Sequence, residues 1–102
     1  MSFQVDISPE AEAQLLKIYH YIAGEASPEI ARRFTDVIVD YCASFESFPH
    51  RGSKCDDLRP NLRIVGFRIR VSIALTVGGH RVDIVGIFYG GQDYEAALLP
   101  GE

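Results

Sequence analysis

The tripeptide Ser-Pro-Glu occurs twice near the start of the chain, as Ser8-Pro9-Glu10 and again as Ser27-Pro28-Glu29. It has the grammar of a helix start. The Ser hydroxyl can accept one of the orphan N–H groups of the first turn, Pro suits the first helical position, and Glu complements the positive end of the helix dipole. Apolar residues follow each start in steps of three and four: Ala11, Leu15, Ile18 and Ile22, then Ile30, Phe34, Val37, Ile38, Tyr41, Phe45 and Phe48. Gly24 is the expected left-handed stop of the first helix, over residues 8–23. With so few residues between them, the two helices are expected to pack as an antiparallel hairpin. Their apolar stripes then need a surface to cover, and the rest of the chain must supply it.

That surface reads as a sheet. Phe3, Val5 and Ile7 alternate with Gln4 and Asp6 in a short half-buried strand. After a polar connection over 49–61, three more strands are expected at 62–66, 69–77 and 82–89. Gly78-Gly79 supplies the positive φ values of a tight hairpin between the last two. The final strand is apolar on both faces apart from Asp83, as a central strand is. The predicted class is α+β in the order β-α-α-β-β-β, a helical hairpin packed on one face of a small, mostly antiparallel sheet. The other face carries Arg70, Ser72 and Thr76 and is open to solvent or a partner. At 102 residues the chain is expected to form a single domain over 1–102.

Several function classes lack their residues. There is no G-x-S-x-G, P-loop, H-E-x-x-H or Rossmann glycine pattern. Gly78-Gly79 and Gly90-Gly91 are too short to cradle phosphates. His20, His50 and His80 are scattered away from one another and from Cys42 and Cys55, so neither a metal nor a cofactor is expected. The two cysteines read as free thiols in a reducing compartment. No stretch is apolar enough for a membrane helix, and "MSFQVDISPE" has no export-signal pattern, so the expected location is the cytoplasm.

Charge is unevenly spread. The net value is −4, yet residues 49–81 hold seven basic and two acidic side chains between acidic flanks. Arg59, Arg63, Arg68, Arg70 and Arg81, with Arg51 and Lys54 before them, read either as an anion-recognising group or as solvated charges guarding strand edges. Both readings stand at this level.

The stretch "FPHRGSKCDDLRPNLRIVGFRIRVSIALTVGGHRVDIVGIFYGGQD" resembles the C-terminal half of the ParE/RelE toxin superfamily. A proline closes the second helix, a Gly-containing loop follows, and Leu62-Arg63 opens the next strand. A long alternating strand and a Gly hairpin then lead to an apolar strand ending near Gly and Asp. The "SPEAEAQLLKIYHYIA" helix and its successor agree as well, so the resemblance spans nearly the whole chain.

That resemblance implies the toxin of a bacterial type II toxin–antitoxin pair. ParE-like members poison DNA gyrase through protein contacts, whereas RelE-like members cut mRNA in the ribosome. A third alternative is an inactive relative that still binds antitoxin. The nuclease reading would rest on Arg63, Arg68 and Tyr89, because cleavage by a 2′-hydroxyl needs cations and proton-transfer groups at the phosphate. Where many relatives read His-Gly-Arg-Arg-Asp, this chain reads Tyr89-Gly90-Gly91-Gln92-Asp93, with no cation after Arg81. The ParE-like reading is therefore preferred, with direct nucleic-acid binding not expected. Gln92, Asp93 and Tyr94 are candidates to contact the target, although Tyr94 and residues 96–100 also read as a cap on the core. Arg63, Arg68 and Arg70 are candidates to bind a ParD-like antitoxin with a ribbon-helix-helix N-terminus and a flexible C-terminal segment.

Overall fold

The computed structural model describes residues 2–68 and 70–90. Strand β1 (Gln4–Ile7) leads into helix α1 (Pro9–Glu25), helix α2 (Pro28–Ala43) and a single 3-10 turn over Ser44–Glu46. Four strands follow: β2 (Ser53–Lys54), β3 (Leu62–Phe67), β4 (Val71–Gly78) and β5 (Arg81–Tyr89). They form one sheet in the order β1-β5-β4-β3-β2, antiparallel except for the β1–β5 pair. The expected helical hairpin thus lies on a mostly antiparallel sheet. The addition is β2, a two-residue edge strand inside the segment read as a plain connection.

Both helix starts form as the sequence dictates. Ser8 Oγ accepts the Ala11 N–H and Ser27 Oγ accepts the Ile30 N–H, each at 3.1 Å. Gly24 does not end α1. The helix runs past it to Glu25, and Ala26 closes it through an N–H bond to the Ile22 carbonyl at 2.8 Å. The Ser27 cap of α2 follows at once, leaving no room for a left-handed turn.

The α2 stripe needs a correction at both ends. Ile38 and Phe45 are fully buried, but Ile30 and Phe48 are exposed, while Ala31 and Cys42 hold buried positions. Ala11 and Ala31 are both wholly buried, so small side chains occupy core positions on both helices. Phe48 lies past the helix and packs instead under the Arg51 guanidinium, 5.3 Å from its ring centre.

In β5 the period-two pattern slips. Ala74 pairs with Gly86 and Leu75 with Ile84, which leaves Val85 as an extra residue. Val82 and Ile84 before the slip, and Ile87 and Tyr89 after it, all belong to the helix-side core, whereas Val85 and Phe88 join the opposite side. The strand reads as apolar on both faces partly because one face is written in two registers. At the other end Gly78 pairs with Arg81, so the hairpin turn is Gly79-His80, with the positive φ at Gly79.

The second sheet face is less open than expected. Leu62, Ala74 and Phe88 are buried there beneath Leu58 and Cys55 from the loop before β3. Ser72 and Thr76 are half-buried, and Arg70 is not on this face. It sits in the turn before β4 and opens toward α1. Among the described residues no helix is long and apolar enough to cross a membrane.

Candidate functional site

Gln14, Lys17, Ile18 and Tyr21 fall on one stripe of α1, at i, i+3, i+4 and i+7. This stripe faces the end of β5, and together with Arg70, Tyr89 and Gly90 it lines a cleft of about 390 Å³. Two interactions hold its walls in place. Gln14 Oε1 accepts the Ile87 N–H at 2.7 Å, and the Arg70 carbonyl accepts the Gly90 N–H at 2.7 Å. Tyr89 is half-buried, with its ring 5.8 Å from those of both Tyr21 and Phe34. The cleft therefore has a rigid aromatic wall and two cations at its rim.

The three arginines singled out for antitoxin contact occupy three different settings. Arg63 is committed to the fold: its Nε donates to the Arg51 carbonyl at 3.1 Å and its Nη2 to the His50 carbonyl at 3.2 Å. It borders a separate polar cavity of about 170 Å³ with His50, Lys54, Asp56 and Asn61. Arg68 is exposed in the β3–β4 turn at φ 59°, its guanidinium 5.4 Å from the Phe67 ring centre. Arg70 alone lines the α1 cleft.

The same geometry separates the residues of the nuclease alternative. Tyr89, Val71 and Phe67 share one row across the sheet, while Arg63 pairs with Leu75 four positions along β3. That is about 13 Å at the usual strand rise. Arg68 is at the Tyr89 end but across two strand spacings, about 10 Å. Gln92, Asp93, Tyr94 and the apolar 96–100 segment lie outside the described residues.

Two further arginines of this group are also partnered. Arg51 spreads over Tyr41, Phe45 and Phe48 at 5.3–5.7 Å and donates to Ser44 Oγ at 3.0 Å. Arg81 bridges β1 and β5, with contacts of 3.1 Å to Asp6 and 2.9 Å to Asp83. The hydrogen bond to Asp83, and then the charges of Asp6 and Asp83, raise its pKa above the ordinary arginine value. Much of the basic middle third is thus spent on holding loops and strands. Among the described residues, no group of three or more His, Cys, Asp or Glu side chains is placed to hold a metal.

The profile describing the ParE toxin of the type II toxin–antitoxin system parDE matches residues 5–94. The chain belongs to the ParE toxin family. The match runs from β1 through the helical hairpin and the whole sheet. A solved chain from a structure described as the chromosomal ParDE toxin–antitoxin system of P. aeruginosa has the same fold at a TM-score of 0.75, with 21% identity over 87% of this chain and 97% of that one. No curated relative matches this sequence.

Sequence reading reached Arg70 and Tyr89 but passed over Gln14, Lys17 and Tyr21. Their i, i+3, i+7 spacing is visible in the sequence, yet any solvated helix face can show it. Only the packing of α1 against the end of β5 distinguishes this stripe.

Proposed function

We propose that this ParE-family chain inhibits DNA gyrase by binding it as a protein, and that a cognate ParD-like antitoxin neutralises it in the cytoplasm. The observation that carries this preference over mRNA cleavage is the separation of Arg63 from Tyr89. A nuclease centre needs its cations and proton-transfer group around one phosphate. Here Arg63 is bonded to two loop carbonyls four positions along the sheet from the Tyr89 row. The net charge of −4 adds to the same preference, because an acidic chain approaches a polyanion against its own field. A gyrase-binding protein needs only a rigid scaffold with a recognisable surface, which the two-layer fold supplies.

The test uses purified gyrase and toxin freed of antitoxin. Loss of supercoiling, or accumulation of a cleaved-DNA gyrase complex, is the expected result. Gyrase that supercoils normally with excess toxin present ends this reading. Cleavage of ribosome-bound mRNA in a parallel reaction would put the nuclease in its place. Normal growth of cells making the toxin alone would instead identify an inactive antitoxin-binding relative.

A further inference from the structure

Lys54 and Arg63 stand directly opposite each other in the β2–β3 ladder, so their side chains leave the same face of the sheet. It is the helix-side face, because Arg63 pairs in turn with the core residue Leu75. Like charges placed opposite one another are destabilising. Neither cation has a carboxylate within 4 Å among the described residues, where the ion pairs are Arg32–Asp36, Arg81–Asp6 and Arg81–Asp83. Arg63 donates through Nε and Nη2 to the Arg51 and His50 carbonyls, which fixes its guanidinium and leaves Nη1 unbonded among the described residues. His50, its ring edge-on to Phe3 at 6.1 Å, brings a ring N–H to the same place in one of its neutral tautomers.

These three residues border the cavity of about 170 Å³, below the roughly 300 Å³ at which pockets for drug-sized molecules begin. Leu62 and Val77 supply the apolar part of its lining. One acid, Asp56, completes the wall. Its Oδ1 accepts the Asn61 N–H at 2.9 Å, with Asn61 in the left-handed conformation at φ 63°. The carboxylate is therefore held among the cations yet bridged to none of them.

We propose that this cavity binds inorganic phosphate. Lys54, His50 and Arg63 Nη1 donate to its oxygens, and Asp56 accepts the P–O–H that the ion keeps at neutral pH. A fixed guanidinium beside an ammonium suits the oxygens of a small tetrahedral anion. The acid sets the selectivity. Sulfate has no proton to offer at neutral pH, so the same carboxylate repels it. A phosphodiester has none either, which excludes a nucleic-acid backbone from the site. A phosphomonoester has largely lost its last proton there, its second pKa being about 6. Bound phosphate joins β2 to β3 and to the end of the loop after α2, and so adds to the native state by mass action. The inference is independent of the gyrase and antitoxin readings.

The probe is sodium phosphate, titrated at neutral pH and constant ionic strength into the 15N-labelled full chain. Sodium sulfate and adenosine 5′-monophosphate form separate arms. The expected result is saturable shifts at the Lys54, Asn61 and Arg63 amides, with sulfate at least about tenfold weaker. This contrast is read on the native chain and needs no variant to fold. Lys54→Ala should keep a dispersed spectrum, since the side chain is exposed on a two-residue edge strand, and weaken phosphate at least about tenfold. Asp56→Asn keeps an oxygen for the Asn61 N–H but loses the negative charge, so sulfate affinity should rise to that of phosphate. The assignment is overturned by a lack of saturation, by equal binding of sulfate to the native chain, or by tighter binding of the monophosphate. Shifts centred on Lys17 and Arg70, or an unchanged affinity in Lys54→Ala, would also end it. An Asp56→Asn chain that still rejects sulfate would overturn the role of the carboxylate as acceptor.

Discussion

Gln14 Oε1 accepts the backbone N–H of Ile87 at 2.7 Å, joining α1 to β5 across 73 residues of sequence. Strand β1 pairs with β5 only as far as Ile84, so beyond that point β1 no longer covers this edge of β5. A side-chain amide stands where the next strand's carbonyl would be. The same residue closes the sheet edge and lines the cleft.

Replacing Gln14 by Ala leaves the N–H of the buried Ile87 without its acceptor. The expected loss is about 1–3 kcal/mol, the cost of an unsatisfied backbone donor. Urea denaturation measures it. Gln14→Glu keeps an acceptor for this N–H and should retain most of the stability.

Arg63→Ala removes two charge-assisted bonds to the loop after α2. Its contacts are partly solvent-exposed, so the expected destabilisation is about 1–2 kcal/mol rather than the full value of a buried pair. Faster amide exchange in residues 50–54 should accompany it. Arg70→Glu is expected to leave stability nearly unchanged but weaken antitoxin binding by more than about 1 kcal/mol. Equal effects of both substitutions on stability would contradict this division of roles.

Gly52→Ala tests the loop that Arg63 holds. Gly52 has φ 77°, and a Cβ there would overlap the Ile64 carbonyl oxygen. Backbone strain and the clash act together, and a loss of about 2 kcal/mol or more is expected. Thermal unfolding should show a lower Tm. An unchanged Tm would mean that the loop can move away from β3 at no cost.

The two cysteines should differ in reactivity. Cys42 is 1% exposed, and burial pushes its thiol pKa from 9.0 up to about 12, whereas Cys55 is partly exposed. A thiol reagent at pH 8 is expected to modify Cys55 in the native protein and Cys42 only after unfolding. The raised pKa also fixes a sign. Above pH 9 the unfolded state releases the Cys42 proton while the folded state keeps it, so this contribution to stability is present below that pH. It is lost progressively as pH rises toward about 12. A Cys42→Ala variant should show a shallower alkaline decline in a denaturation series.

Local chemistry written in the sequence survived into the structure with little change. Ser8 and Ser27 cap their helices, and the alternation of β4 places Val71, Ile73 and Leu75 in the core under α1 and α2. These features depend on neighbours a few residues away, so a reader of the chain has the physics in view. The β1–β5 parallel pairing, the Val85 slip and the covering of Leu62, Ala74 and Phe88 do not have that property. Each depends on which strands and loops meet, and a period-two pattern names no partner.

The candidate site shows the same boundary. The sequence determined where the helices begin, which residues alternate into the core and that cations concentrate in residues 49–81. It could not determine how those cations are used. Arg63, Arg68, Arg70 and Arg81 are chemically alike in the chain. Folding binds Arg63 to loop carbonyls, lays Arg68 over Phe67, pairs Arg81 with two aspartates and leaves Arg70 facing Lys17's helix across a cleft. A guanidinium's role follows from the acceptors within hydrogen-bond reach, and tertiary packing alone decides which acceptors those are.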